Sequence, residues 1–155
     1  AVTGTGAPDA GAQDPMISVH KGVAHPWQCD IMGNMTTRFY TAMFDDSSYN
    51  FLHHLFDWNR AQSPDGRLGW VDVRHTTNFA AEVNSGDLVE VRAELLKVGG
   101  KSMTIAYEMI NLGSGEVAAN LESVVVLFDL KERCAVAIPD DLRTTAQQHV
   151  KADFV

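Results

Sequence analysis

Residues 35–56 carry the only long helical pattern in this sequence. Apolar side chains recur there at intervals of three and four residues, the spacing of one helix face, and no other long stretch has this pattern. Ser47 and Ser48 interrupt the stripe with small side chains that allow a sheet to approach closely. The pattern predicts a helix from Thr36 to Phe56, about 30 Å long, as the axis of a small domain. The apolar stripe consists of Met35, Phe39, Tyr40, Met43, Phe44, Phe51, Leu52, Leu55 and Phe56.

The rest of the chain favours strands joined by short turns. The turns NSGD, Gly99-Gly100 and LGSG are too short for crossover helices, so the sheet should be antiparallel. Residues 138–150 resemble a short final helix, opened by Pro139 and capped by Asp140 or Asp141. The predicted fold class is α+β, with a five-stranded antiparallel sheet wrapped around one long central helix. The predicted strands are residues 16–23, 70–81, 88–98, 103–109 and 117–130.

The sequence predicts one domain, at residues 16–155, behind a disordered tail. Residues 1–15 are rich in Gly, Ala, Asp and Pro and have no apolar periodicity. The long edge strands expected of the domain favour pairing with another copy of the chain. We therefore expect an oligomer.

The charge balance argues against nucleic acid as a partner. Twelve basic and twenty acidic residues give a net charge of -8, which repels a phosphate backbone. No apolar run approaches the roughly 18 residues needed to cross a bilayer. The first residues also lack the basic flank and apolar stretch of a secretory signal, so we expect a cytoplasmic protein without membrane contact.

The loop before the long helix carries the one acidic residue that invites a chemical interpretation. Asn34 and Thr36 are both plausible caps for the helix, so the helix begins within a few residues of Asp30. Its free N–H groups and its dipole then face the same space as the carboxylate. From the residues alone Asp30 is either a turn-capping residue or a catalytic carboxylate. Cys29 beside it is better explained as a small packing residue than as a nucleophile.

Three segments, in this order and spacing, resemble the hotdog-fold acyl-CoA thioesterases of the 4-hydroxybenzoyl-CoA type. CDIMGNM, followed by an aromatic-rich helix, is similar to the family's Asp-x-x-Gly-His-x-Asn loop. FAAEVNSGDLVEV is similar to the family's Phe-x-x-Glu-x-x-x-Gly-Asp strand and turn. The third segment consists of GGKS, a following strand that contains glutamate, and a late FDL-KER sequence. The resemblance covers nearly all of the chain beyond the tail. WQCDIMGNM is especially similar to a branch that contains betainyl-CoA and carnitine-pathway thioesterases.

The resemblance implies hydrolysis of an acyl-CoA thioester without a cofactor and without a metal. It assigns Asp30 as nucleophile or as general base for water, and the backbone of Thr37 as donor to the oxyanion. Gly33 permits close backbone approach. Asn34 stands where the family usually has His, and Thr36 and Thr37 replace its Asn positions, so the preferred acyl group is open.

The resemblance also suggests substrate-binding residues. Trp27, Tyr40 and Trp70 could form an aromatic cage for a quaternary ammonium group. Lys101 and Ser102 match the family's Lys-Ser, where CoA phosphates are held, and Arg133 is a second basic candidate; each is equally explained as a solvated turn residue. His75 and Asn78 lie on a strand that pairs across the dimer in the family, although His75 is more often a core or interface residue. The resemblance implies a homodimer or a tetramer of dimers.

The alternatives come from other functional classes. A non-catalytic hotdog protein that binds acyl-CoA or lipid would tolerate the change at Asn34 but would not need Asp30. A hotdog dehydratase would need a His paired with Asp or Glu in a different motif, which the sequence does not contain. Asp45 and Asp46 are expected to be solvated on the helix surface, the alternative being that one reaches a substrate cation across a dimer.

Overall fold

The computed structural model describes residues 16–59, 63 and 66–150. The expected tail, residues 1–15, lies outside the described residues. In the described part no helix is both long and apolar enough to cross a membrane. The helices are α1 (Thr37–Phe56) and α2 (Asp140–Gln147), and the strands are β1 (Ile17–Val23), β2 (Leu68–Phe79), β3 (Leu88–Val98), β4 (Ser102–Asn111), β5 (Val117–Asp129) and β6 (Cys134–Ala135).

The strands form one antiparallel sheet in the order β1-β3-β4-β5-β2, with β6 paired to the end of β5. The predicted antiparallel sheet is therefore confirmed, but the count of five strands and one long helix was too simple. The described chain has six strands, a 3-10 turn at Pro26–Gln28 and two α-helices. α2 is the short final helix predicted within residues 138–150, but Pro139, and neither Asp140 nor Asp141, occupies its N-cap position. The sixth strand was missed because two residues are too short to show an alternating pattern.

The core lies between α1 and the sheet. α1 begins one residue after the predicted start and ends at the predicted residue. Ser47 is fully buried and donates a hydrogen bond to the carbonyl of Met43 at 2.6 Å, so its hydroxyl is satisfied inside the interface. A large side chain there would hold the sheet away, which is why the apolar stripe is interrupted at this turn.

β2 is the exposed edge of the described sheet. α1 packs chiefly against β1 and β3, and most of β2 remains exposed. A regular alternating strand would put Val71, Val73, His75, Thr77 and Phe79 on one face, as the polar–apolar pattern of the sequence predicts. That prediction is wrong, because the register shifts between Asp72 and Arg74. This bulge leaves Val73 without a partner and puts Val71 on the opposite face from His75.

The bulge decides which β2 side chains turn towards α1. Paired residues of antiparallel strands share a face. Trp70, Asp72 and His75 pair with Leu127, Val125 and Ser123, all of which are buried in the core. These three β2 side chains therefore lie on the helix side of the sheet.

Candidate active site

The Asp30 loop is a tight turn fixed by its own backbone. The N–H of Gly33 donates to the carbonyl of Asp30 at 3.0 Å, and the N–H of Asp30 donates to the carbonyl of Asn34 at 2.9 Å. Gly33 has a φ of +83°, a conformation that costs an L-residue about 1–2 kcal/mol. Glycine at this position therefore spares the turn the backbone strain that another residue would add.

The Asp30 carboxylate caps this turn with one of its two oxygens. Oδ1 accepts the backbone N–H groups of Met32 at 2.8 Å and Asn34 at 3.3 Å. No described residue donates a hydrogen bond to Oδ2. Asp30 therefore caps the turn through Oδ1, one of the two roles that the sequence allowed. Its Oδ2 is available for other chemistry.

The amino terminus of α1 begins beside this loop without a side-chain cap. Thr36 occupies the N-cap position with extended backbone, but its side chain makes no capping hydrogen bond. Asn34 also does not cap the helix, so neither predicted cap acts through its side chain. Thr36 Oγ1 is buried without a partner in the described part of the chain. The N–H of Thr37, in the first turn, has no carbonyl available within the helix.

Backbone bonds tie the loop to the turn between β2 and β3. The N–H of Met35 donates to the carbonyl of Val83 at 2.7 Å, and Asn34 forms an isolated antiparallel bridge with Asn84. A cleft of about 320 Å³ opens between the helix start and the end of β2. Its walls include Asn34, Thr37, Tyr40, Phe79 and Glu82.

Tyr40 forms the floor of this cleft. It is 5% exposed and meets the ring of Phe79 edge-on, with centroids 5.1 Å apart. Burial raises the pKa of the Tyr40 hydroxyl, against the opposing effect of a hydrogen bond with the backbone of Val83. Tyr40 therefore stays neutral and offers an apolar ring with a polar tip.

One protomer does not bring the three proposed cage residues together. Trp27 is 69% exposed and packs edge-on against Phe39 at the start of α1. Trp70 stacks on Phe56 at the other end of α1, with centroids 5.8 Å apart. Phe56 lies sixteen positions after Tyr40 in α1, or about 24 Å along the helix.

The proposed CoA-binding residues also lie at the end of the sheet away from Asp30. Lys101 accepts the N–H of Leu127 through its carbonyl at 3.0 Å, and Ser102 pairs with Val126. Arg133 follows β5 and places its guanidinium 5.3 Å from the centroid of Phe128. β2 begins at the end of the sheet that carries these three residues, and the Asp30 loop adjoins the last residue of β2. The 12 residues of β2 span about 36 Å, which separates the two groups.

His75 and Asn78 occupy the exposed middle and end of β2. Asn78 donates its amide to Asn120 Oδ1 at 3.1 Å. His75 Nε2 and Asp72 Oδ1 are 2.9 Å apart, and Ser123 Oγ donates to the same Asp72 oxygen at 2.9 Å. The sequence did not reveal this cluster, because residues 72 and 75 lie on opposite faces of a regular strand and only the bulge brings them together.

Similar proteins have the same architecture. A predicted thioesterase from Bacillus stearothermophilus superposes with a TM-score of 0.74 at 22% identity, covering 88% of this chain and 97% of that chain. A Staphylococcus aureus protein solved in complex with CoA superposes with a TM-score of 0.74 at 14% identity, covering 90% of each chain. Identities this low establish a shared fold. These structures and the antiparallel sheet packed on α1 define the class, the α+β hotdog fold.

The family follows from the sequence comparison. Residues 24–145 match the thioesterase-like superfamily. The long-chain acyl-CoA thioesterase FadM of Escherichia coli strain K12 is 23% identical over 127 residues, which cover 81% of this chain and 93% of that protein. The chain belongs to the thioesterase-like superfamily and is a thioester hydrolase.

Proposed function

We propose that this chain is an acyl-CoA thioesterase that hydrolyses a small acyl-CoA to the free acid and CoA. The observation that carries the proposal is the Asp30 carboxylate, held at Oδ1 by its own loop and without a hydrogen bond from a described residue at Oδ2. It stands beside the uncapped start of α1. Thioester hydrolysis needs such a pair, a carboxylate at the carbonyl carbon and donors at the carbonyl oxygen.

The chemistry has two routes from the same arrangement. Asp30 either attacks the carbonyl carbon and forms a mixed anhydride, which water then hydrolyses, or it takes a proton from a water that attacks directly. In both routes the carbonyl oxygen becomes negative, and the N–H of Thr37 donates to it. The C–S bond then breaks. The CoA sulfur takes its proton from solvent water in the first route and from the protonated Asp30 in the second. Gly33 keeps the backbone close to the reacting group.

A homodimer, alone or within a tetramer, explains why the candidate residues are divided between the two ends of the sheet. When two identical β2 strands pair antiparallel about a two-fold axis, the start of one meets the end of the other. Each Asp30 loop would then adjoin the end of the sheet that carries Trp70, Lys101, Ser102 and Arg133 of the partner subunit. The exposed edge of β2 supports this pairing.

The acyl group would lie between the cleft at the start of α1 and this end of the partner subunit. Asn34, Tyr40, His75 and Asn78 would contact it, and Lys101, Ser102 and Arg133 would hold the CoA phosphates. Betainyl-CoA is the candidate substrate from the sequence resemblance. Its quaternary ammonium would meet Trp27 and Tyr40 of one subunit and Trp70 of the partner subunit. A cytoplasmic location remains our prediction.

One observation favours an alternative in which the protein binds acyl-CoA without hydrolysing it. Oδ1 of Asp30 already serves the loop as a turn cap, so the residue has a structural reason to be present. Direct titration with acyl-CoAs and measurement of released CoA separate the two functions. We expect release from at least one of betainyl-CoA, short-chain and aromatic acyl-CoAs. Saturable binding to all of them without release would support the alternative and contradict hydrolysis.

A further inference from the structure

The two edge strands of the described sheet differ in whether they can accept another strand. In β1 the register shifts at Val19, and the carbonyl of Val19 accepts a hydrogen bond from the side-chain amide of Asn50 at 2.7 Å. A bulge whose carbonyl is already bonded hinders a further strand. The described residues leave most of β2 exposed, and Val73 is 56% exposed. β2 is therefore the edge that favours pairing with a second copy.

The bulge in β2 makes this strand complementary to itself. β2 has 12 residues, with five before Val73-Arg74 and five after. Opposite residues of antiparallel strands share a face, so full overlap of two regular strands of even length would oppose residues of different faces. The bulge removes this conflict, because it adds one residue and restores the match. Two copies of β2 can therefore pair along their whole length, with the two-fold axis at Val73-Arg74.

Full overlap sets Asp72 of one subunit opposite His75 of the partner subunit. Both side chains lie on the helix side of the sheet, so their Cβ atoms would be about 5 Å apart. The two-fold axis repeats this contact, and two carboxylates and two imidazoles meet beside it. Arg74 lies on the outer face, where Nη2 is 3.9 Å from Glu122 Oε1 and its charge is balanced.

Within one chain, Asp72 and His75 already fix each other's orientation. Ser123, 2% exposed, donates its hydroxyl to Asp72 Oδ1 at 2.9 Å, and His75 Nε2 lies 2.9 Å from the same oxygen. An ionised carboxylate only accepts hydrogen bonds, so Nε2 carries the proton and Nδ1 of the neutral ring has a lone pair. No described residue forms a hydrogen bond with Asp72 Oδ2 or His75 Nδ1.

The charge of His75 decides whether these two atoms attract or repel each other across the axis. In the neutral ring, Nδ1 and Oδ2 of the partner's Asp72 are both acceptors and cannot share a hydrogen bond. In the protonated ring, Nδ1–H donates to that oxygen in a charge-assisted hydrogen bond. The four side chains then form a closed ring of four hydrogen bonds with balanced charge.

Two titratable groups of other elements lie on the helix side near this cluster. Ser123 pairs with Ile105 on β4, so Tyr107 is a diagonal neighbour on the same face. Burial and then the charges of Asp72 and Asp45 raise the pKa of Tyr107, so its hydroxyl stays neutral near neutral pH. Asp45, on α1, adds a negative charge that favours a protonated imidazole.

We propose that Asp72 and His75 of two subunits form one hydrogen-bonded cluster at the two-fold axis, and that protonation of His75 tightens the dimer. The inference rests on the proposed function, in which two subunits share each site. Association then takes up protons, so the dimer tightens as the pH falls through the range of about 8 to 5 in which an imidazole gains its charge. Assembly of the shared site is thereby linked to pH.

Disulfide cross-linking tests the register, in a chain whose Cys29 and Cys134 are replaced by serine. Full overlap opposes Val71 to Thr76 of the partner subunit on the outer face. Val71→Cys/Thr76→Cys should therefore give disulfide-linked dimers under mild oxidation. Each single variant should not, since the two copies of one position lie about 13 Å apart along the strands. A cross-link in a single variant, or none in the double variant, would overturn the register.

The rate of subunit exchange tests the effect of protonation even for a tight dimer. Two pools of the full chain, labelled at the amino terminus with a donor or an acceptor fluorophore, are mixed at pH 8 and at pH 6. We expect exchange to be at least ~10-fold slower at pH 6. His75→Gln should lose this difference, whereas His20→Gln, on the other edge strand, should keep it. Equal rates, or faster exchange at pH 6, in the wild type would overturn the proposal.

Asp72→Asn should reverse the pH dependence. The amide oxygen still accepts from Ser123 and His75, while the amide nitrogen takes the place of Oδ2 and donates to the neutral Nδ1 across the axis. Protonation then sets two donors against each other, so exchange should be faster at pH 6 than at pH 8. The pH dependence of the wild type in an Asp72→Asn dimer would overturn the cluster.

These outcomes are independent of CoA release. A dimer that shows the cross-link and the pH dependence but hydrolyses no acyl-CoA supports the cluster, and only the proposed activity fails. Hydrolysis by a protein without the cross-link or without the pH dependence overturns the cluster and leaves the proposed activity intact.

Discussion

Gly33→Ala tests whether the turn that holds Asp30 depends on a left-handed residue. Gly33 has a φ of +83°, and a Cβ added there meets no atom within 4 Å, so the cost comes from the backbone alone. An L-residue in this conformation costs about 1–2 kcal/mol. The lower entropy of the unfolded alanine chain returns about 0.4–1 kcal/mol. We therefore expect a net loss of about 1 kcal/mol in the free energy of unfolding.

Two other glycines are matched controls for this substitution. Gly115 has a φ of +78° and equally open surroundings, but it lies in the turn between β4 and β5. Gly115→Ala should lose the same stability. Gly100 has open surroundings without the left-handed φ, so Gly100→Ala should be neutral or slightly stabilising. Urea unfolding gives the three free energies.

The rate of CoA release separates stability from function in the same series. A turn that relaxes around the added methyl group moves Asp30, because Gly33 donates to the Asp30 carbonyl. We expect kcat/KM to fall at least ~10-fold for Gly33→Ala, since a shift of about 1 Å at a reacting group is costly. Gly115→Ala should keep full activity when folded. Equal activity of the two variants would refute the argument that the turn positions the carboxylate.

Two further predictions concern pH and assembly. The hydrogen bond from the N–H of Glu132, with those from Arg67 and Lys131, lowers the pKa of Asp129 against the effect of burial. Asp129 therefore binds fewer protons in the native state than in the unfolded state. Its contribution to stability is present above the ordinary aspartate pKa and is lost as the pH falls through the lowered pKa of Asp129. The difference in unfolding midpoint between wild type and Asp129→Asn should therefore be large near neutral pH and small in strong acid; a difference that grows on acidification would contradict this. The second prediction concerns Val73→Lys, which places like charges near each other where two β2 strands pair. Gel filtration should show a shift towards monomer, and CoA release should fall in parallel. A monomer that still releases CoA would contradict a site shared between two subunits.

The fold was largely predictable because local patterns agree with it. The helical period of residues 35–56 gave α1 to within one residue, and the short turns gave the antiparallel sheet. β6 escaped prediction because it has two residues and depends on a turn that the buried carboxylate of Asp129 holds together. The side-chain cap expected at Asn34 or Thr36 is absent. The backbone rather than the side chain fixes both residues, Asn34 by a bridge with Asn84 and Thr36 by a hydrogen bond to Gln28.

The candidate site was less predictable than the fold. Asp30 and the start of α1 are neighbours in sequence, so their proximity followed from the pattern. The separation of Trp70 and Lys101 from Asp30 depends on strand order, which short-range patterns do not encode. The cluster of Asp72, His75 and Ser123 depends on one bulge in β2.

The catalytic role of Asp30 is tested by measuring kcat/KM for CoA release by Asp30→Asn on the best substrate of the panel. The amide oxygen of the substituted side chain can still accept the N–H of Met32, so the turn is kept while the charge is removed. Asp87→Asn is the control, because Asp87 also caps a turn, through the N–H of Asn84. We predict a loss of at least ~100-fold for Asp30→Asn and little change for Asp87→Asn. Wild-type activity in a folded Asp30→Asn variant would contradict the assignment of Asp30 as the catalytic carboxylate.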